Sequence, residues 1–193
     1  SSDLYSAWEV EPTITYLPIP YAGITMGFLF CNTIEDESYS GVSKDQRWRW
    51  SSDDDSPLCH HFALRPAIQL ATPALKLGKD KDMGLSFILS PGLTIPLSVN
   101  QRLNISYYPN VSGIWSSQRF DQVKNRGGRA IFYHIKGMFT LDLGEQYTLS
   151  AGYTFSDFDM YSGGRNMVVE GKKLTMPAFR FMHSFFVSLG YRF

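Results

Sequence analysis

Seven stretches of this chain alternate large apolar residues with small ones, and the identity of the small face limits what the chain can fold into. Side chains point alternately to the two faces of a strand, so every second residue shares a face. In Phe179 to Phe193, the residues Phe179, Phe181, His183, Phe185, Val187, Leu189, Tyr191 and Phe193 share one face, opposite Arg180, Met182, Ser184, Phe186, Ser188, Gly190 and Arg192. The same period runs through Ala7 to Leu17, Tyr21 to Phe30, His60 to Ala71, Met83 to Leu97, Ile131 to Leu143 and Tyr147 to Ser156. No comparable stretch has a helical period, so the chain reads as all-β. A water-facing strand surface normally carries Lys, Glu, Arg and Asp. Here that face is mostly Gly, Ser, Thr and Ala, as in Gly23, Thr25 and Gly27, or Thr148, Ser150, Gly152 and Thr154. Small polar residues fit the crowded interior of a narrow barrel. The large residues then face lipid, with Tyr and Trp near the strand ends. These features favour a membrane barrel over a soluble sandwich or lipocalin-like barrel.

Composition narrows the reading further. The chain has 193 residues, enough for one domain, 1–193. Its 18 basic and 18 acidic residues cancel, so nothing points to nucleic acid as a partner. The longest apolar run, Ala22 to Phe30, is well short of the roughly 20 residues a membrane helix needs. No signal peptide stands at its start, which suits a mature exported chain or one never exported. Charges gather between the strands, at Glu35 to Glu37, Lys44 to Arg49, Asp53 to Asp55 and Arg119 to Arg129.

The alternating Phe185, Val187, Leu189 and Tyr191 before a terminal Phe193 resemble the C-terminal signal of bacterial outer-membrane β-barrels. The segment TYLPIPYAGITMGF, Thr15 to Phe28, is similar to the first periplasmic turn of small barrels of the outer membrane protein A type. The resemblance implies an antiparallel up-and-down transmembrane β-barrel of eight strands with long extracellular loops, in the bacterial outer membrane. It implies outer-membrane lipid, lipopolysaccharide and other outer-membrane proteins as partners. It also implies that the barrel-assembly machinery reads Phe185, Leu189, Tyr191 and Phe193 during insertion. With Pro18 to Pro20 periplasmic, the segments Cys31 to Cys59, Ser98 to Arg129 and Asp157 to Thr175 are extracellular. Only seven strands are then counted. Either a strand precedes Ser1 or Arg102 to Trp115 crosses the membrane; an upstream strand or an unrecognised pairing is preferred, with Arg102 to Trp115 extending above the membrane.

Several side chains carry candidate chemistry. Cys31 and Cys59 fall at the tops of consecutive strands in the lumen phase, which predicts a disulfide in an oxidising compartment, against two free thiols. Glu9, Glu11, Arg65, Lys136, Asp142, Arg180 and Arg192 are also in the lumen phase. Buried charges must pair, so Glu9 and Glu11 are expected to meet Arg65, Lys136 and Arg180. A lumen-filling plug is favoured over a gate or proton path. His60 and His61 point to opposite faces and cannot share a metal. His134 reads as a hydrogen-bonded core residue. His183 and Ser184 face opposite ways and cannot form a nucleophile–base pair with each other, although His183 can meet a serine on a neighbouring strand. The acidic loop lacks EF-hand spacing, so solvated carboxylates are favoured over Ca²⁺. No cofactor motif is present. An acidic first loop and a basic second loop, with Arg102, Arg119, Lys124, Arg126 and Arg129, should attract one another into a folded cap. Trp48, Trp50, Tyr107, Tyr108 and Trp115 are its expected contact residues. The expected role is non-enzymatic: a structural or interaction protein, alone or within a larger outer-membrane complex. The alternative is a lipid deacylase or acyltransferase barrel.

Overall fold

The alternating stretches become the long strands of one antiparallel sheet in a computed structural model of the chain. The structure describes residues 7–33, 38–53, 60–78, 83–97, 102–124, 128–176 and 180–192. In chain order the strands are β1 (Ala7–Val10), β2 (Thr13–Ile19), β3 (Ala22–Thr33), β4 (Ser40–Val42) and β5 (Trp48–Ser52). There follow β6 (His60–Ala71), β7 (Leu75–Leu77), β8 (Met83–Pro96), β9 (Arg102–Pro109) and β10 (Arg119–Lys124). The last are β11 (Phe132–Leu143), β12 (Tyr147–Ser156), β13 (Val168–Val169), β14 (Lys172–Lys173) and β15 (Met182–Tyr191). No α-helix occurs among the described residues, and none is long and apolar enough to cross a membrane.

The main sheet runs β1-β3-β6-β8-β11-β12-β15, with β2 also on β3 and β7 on β8. β1 and β2 are two halves of one strand lying along β3. They part at Glu11 and Pro12, where proline has no N–H to give to a ladder. The Pro12 carbonyl still accepts from the Phe28 N–H at 3.0 Å. At a spacing of about 4.8 Å per strand, the edges of this sheet laid flat would stand about 29 Å apart. Ser184 Oγ on β15 nevertheless donates to Glu9 Oε1 on β1 at 3.1 Å. The sheet is therefore strongly curled, although no backbone pairing joins β1 to β15 among the described residues.

The curl encloses the small polar face. Arg65, Gln69, Ser90, Thr94, His134, Thr140, Ser150, Thr154 and Ser156 are buried on it. The large apolar face is turned out: Ile68, Phe139 and Tyr133 are exposed, and Phe185, Val187 and Leu189 on β15 are 87%, 74% and 83% exposed.

The three long connections build a second body over one end of the curl. β4 and β5 from the first and β9 and β10 from the second make a four-stranded sheet, ordered β10-β9-β5-β4. The third supplies a 3₁₀ turn at Gly164–Asn166 and the β13–β14 hairpin. Trp50, Leu103, Ile105, Tyr107, Phe158 and Met167 pack in one core with Leu29, Cys31 and Ala63 from the upper strands. Cap and curled sheet thus share a core. Arg102–Pro109 is a cap strand, while β8 and β11 on either side of it pair directly in the main sheet, so this segment adds no eighth strand there.

Candidate functional site

A neutral set of four charges occupies the enclosed face. Glu11 sits at the break between β1 and β2, and its carboxylate turns inward across Gly27 of β3. A Cβ built at Gly27 would stand 2.2 Å from Glu11 Oε1, so glycine makes the room. Gly27 pairs with Arg65 of β6. Arg65 Nη1 lies 2.9 Å from Glu11 Oε2 and 3.6 Å from Glu9 Oε2. Lys136 of β11 reaches the other Glu11 oxygen in a short ion pair. The side chains are nearly or fully buried, Arg65 at 1% exposure and the rest at 14–18%. Such burial is tolerable because each charge meets its opposite.

Neutral groups extend the network. Arg65 Nε donates to Thr94 Oγ1 at 3.3 Å, and Thr94 Oγ1 lies 3.1 Å from His134 Nδ1. Arg65 Nη2, Ser90 Oγ and His134 Nε2 are buried with no protein partner among the described residues. Thr94 and Ser184 are members that a search for charged residues passes over, as is Gly27, which makes room for Glu11, although their phase on the small face marked them. Lower down, Arg192 Nη2 pairs with Asp142 Oδ1 at 2.6 Å.

Two sequence expectations are corrected here. Arg180 is not in the network; it is exposed, with its guanidinium 5.3 Å from the Phe181 ring. It precedes the first residue of β15, where strand phase no longer directs a side chain inward. The expected disulfide is not formed either. Cys31 is a free, buried thiol, its Sγ 4.0 Å from Met160 Sδ. The register sets His61 opposite Cys31. Cys59 itself lies outside the described residues, as do Phe193, Glu35 to Glu37 and Asp54 to Asp55.

In the cap, the expected contact aromatics divide. Trp50 and Tyr107 are core residues, 7% and 3% exposed, and offer no contact surface. Trp48 and Tyr108 are half-buried. Trp115 is 75% exposed, with the Arg49 guanidinium 4.8 Å from its ring. Arg49 Nη2 also donates to the Ile114 carbonyl at 3.2 Å. Phe120 on β10 is a further exposed ring. Tyr107 donates its hydroxyl to Glu170 Oε1 at 3.2 Å, tying the β13–β14 turn to the cap sheet. Burial, and then the Glu170 carboxylate, raise the Tyr107 phenol above its usual range. Arg119 pairs with Asp121 on its own strand, Arg129 pairs with Asp157, and Asp53 accepts from Ser106. The first two loops are joined by the β5–β9 ladder.

His183 and Ser184 point apart. Ser184 turns in to Glu9, while His183 Nδ1 meets the Tyr153 hydroxyl on the outer face. Among the described residues no three His, Cys, Asp or Glu side chains converge on a metal site. The fold and site define an all-β chain: a curled antiparallel sheet with a charge network inside and a folded cap above. Comparison with protein-family models, with curated proteins and with solved structures finds no match to the chain.

Proposed function

We propose that this chain is a small outer-membrane β-barrel that works without catalysis, as a structural or interaction protein presenting its cap outside the cell. The observation that carries this reading is the inverted sheet: the main sheet buries Arg65, Thr94, His134 and Ser150 and exposes Phe185, Val187 and Leu189. In water that arrangement is unfavourable on both faces, whereas in a bilayer it is favourable on both. Seven strands leave β1 and β15 running in the same direction, so an eighth strand between them completes an antiparallel barrel. The tight turns at one end suit the periplasm and the cap suits the exterior. The outward Phe185, Leu189 and Tyr191 of β15, with Phe193, are the residues presented to the assembly machinery. Trp115, Arg49 and Phe120 present exposed cap surface to other outer-membrane proteins or lipopolysaccharide.

Expression with export to the envelope, followed by membrane fractionation and gel mobility with and without heating, tests the reading. The expected result is a detergent-dependent, heat-modifiable protein whose folded yield falls on deletion of Phe193. A protein soluble and monodisperse without detergent refutes it.

A further inference from the structure

The main sheet is weakened between two adjacent interior strands. Pro66 lies mid-strand in β6 and Pro91 mid-strand in β8, opposite Met26 and Ile135 of the flanking strands. Proline removes a ladder donor and is rare inside a sheet. The β6–β8 ladder keeps one register throughout but lacks the rungs 65/94, 66/93, 68/91 and 69/90. The next ladders out, β3–β6 and β8–β11, are continuous from end to end.

Over this gap the outer face carries a groove of about 730 Å³, lined by Ile14, Tyr16, Ile24, Ile68, Leu93 and Tyr133. That size falls within the range of small-molecule sites. Its floor includes Ala67 and Gly92, and a Cβ built at Gly92 would stand 2.5 Å from Ala67 Cβ and 2.8 Å from His134 Cε1. At this point the wall between groove and buried network is one backbone thick. At Tyr133 a cation is at hand: the Arg129 guanidinium lies 5.9 Å from the Tyr133 ring and 4.8 Å from the Phe132 ring. Arg129 pairs with Asp157 through Nη2 at 2.7 Å and is about half exposed. A guanidinium has five donors, so this pairing leaves others free for a second anion.

From this geometry we infer a lipid site: one acyl chain of a net-anionic phospholipid lies in the proline groove, with its headgroup phosphate on Arg129. The inference rests on the membrane reading above. An apolar trough continuous with an exposed apolar face, beside an exposed guanidinium on a ring, matches an anionic amphiphile at both of its ends.

Tyr133→Trp places a reporter in the groove, and Val187→Trp places one on the outer face of β15 as a control. Each is refolded into phosphatidylcholine bilayers containing small fractions of doxyl-labelled phosphatidylglycerol or phosphatidylcholine, and wild-type fluorescence is subtracted. The groove reporter should be quenched saturably, with a preference for phosphatidylglycerol of at most about fivefold, the value for one unpaired cation near a membrane surface, because Asp157 offsets part of the Arg129 charge. Arg129→Gln should abolish the preference and Arg129→Lys restore most of it. Quenching of both reporters in proportion to lipid fraction, or saturation without headgroup preference, overturns the site and leaves the membrane reading intact. If neither reporter is quenched, the membrane reading fails with it.

Discussion

Arg65→Met tests whether the enclosed charges hold the fold together. The substitution removes a cation whose side chain is 1% exposed and leaves Glu9 and Glu11, 18% and 14% exposed, facing Lys136 alone. It also removes a charge-assisted bond of 2.9 Å and a weaker one to Thr94, which keeps its contact with His134. Breaking a buried pair from one side costs about 3–5 kcal/mol, because the stranded charge stays out of water. Glu11 keeps Lys136, so the stranded charge is Glu9; adding Glu9→Gln removes it, and the double variant should recover about 1–3 kcal/mol relative to the sum of the singles. The assay is urea unfolding of protein refolded in lipid vesicles, followed by tryptophan fluorescence and checked by heat-dependent gel mobility. A cost below about 1 kcal/mol for Arg65→Met refutes the argument. So does additivity of the two changes within about 0.5 kcal/mol.

Gly27→Ala puts a methyl where the Glu11 carboxylate lies, and that carboxylate is pinned by Arg65 and Lys136. Such overpacking should cost about 1–3 kcal/mol in the same assay. In the cap, Trp50→Ala should cost about 3–5 kcal/mol of local stability, since its ring is buried, and should open the cap to limited proteolysis. Trp115→Ala, at a ring 75% exposed, should leave stability within about 0.5 kcal/mol and lower only binding to a cap partner. With Cys59 replaced by Ser, the fully buried Cys31 thiol should resist N-ethylmaleimide until the protein is unfolded in denaturant. Prompt labelling of the folded protein would contradict that burial.

The long strands were legible because a period of two is a local signal. His60 to Ala71 and Tyr147 to Ser156 match β6 and β12 at both ends. Phase also told which side chains are enclosed, including Arg65, Lys136 and His134. Phase gives a face; it does not give a height or a partner. The break at Glu11 and Pro12 was hidden because Pro12 keeps the phase of Val10 and Ile14; the missing N–H parts the strand there, not any lapse in alternation. Pro66 and Pro91 are in phase too, and the gap they bracket is visible only once β6 and β8 are set side by side. The cap shows the same limit at longer range. Trp48 and Trp50 alternate with Arg47 and Arg49, and Leu103, Ile105 and Tyr107 alternate with Asn104 and Ser106, so both β5 and β9 carried a strand signal. What turned Trp50 and Tyr107 inward is their pairing with each other across the β5–β9 ladder, between segments more than fifty residues apart. Register places Cys31 in the same way: it sits at the height of His61, which appears only when β3 and β6 are aligned. Alternation therefore fixes which residues can meet, and the ladders, through prolines, glycines and non-local pairing, select which of them do.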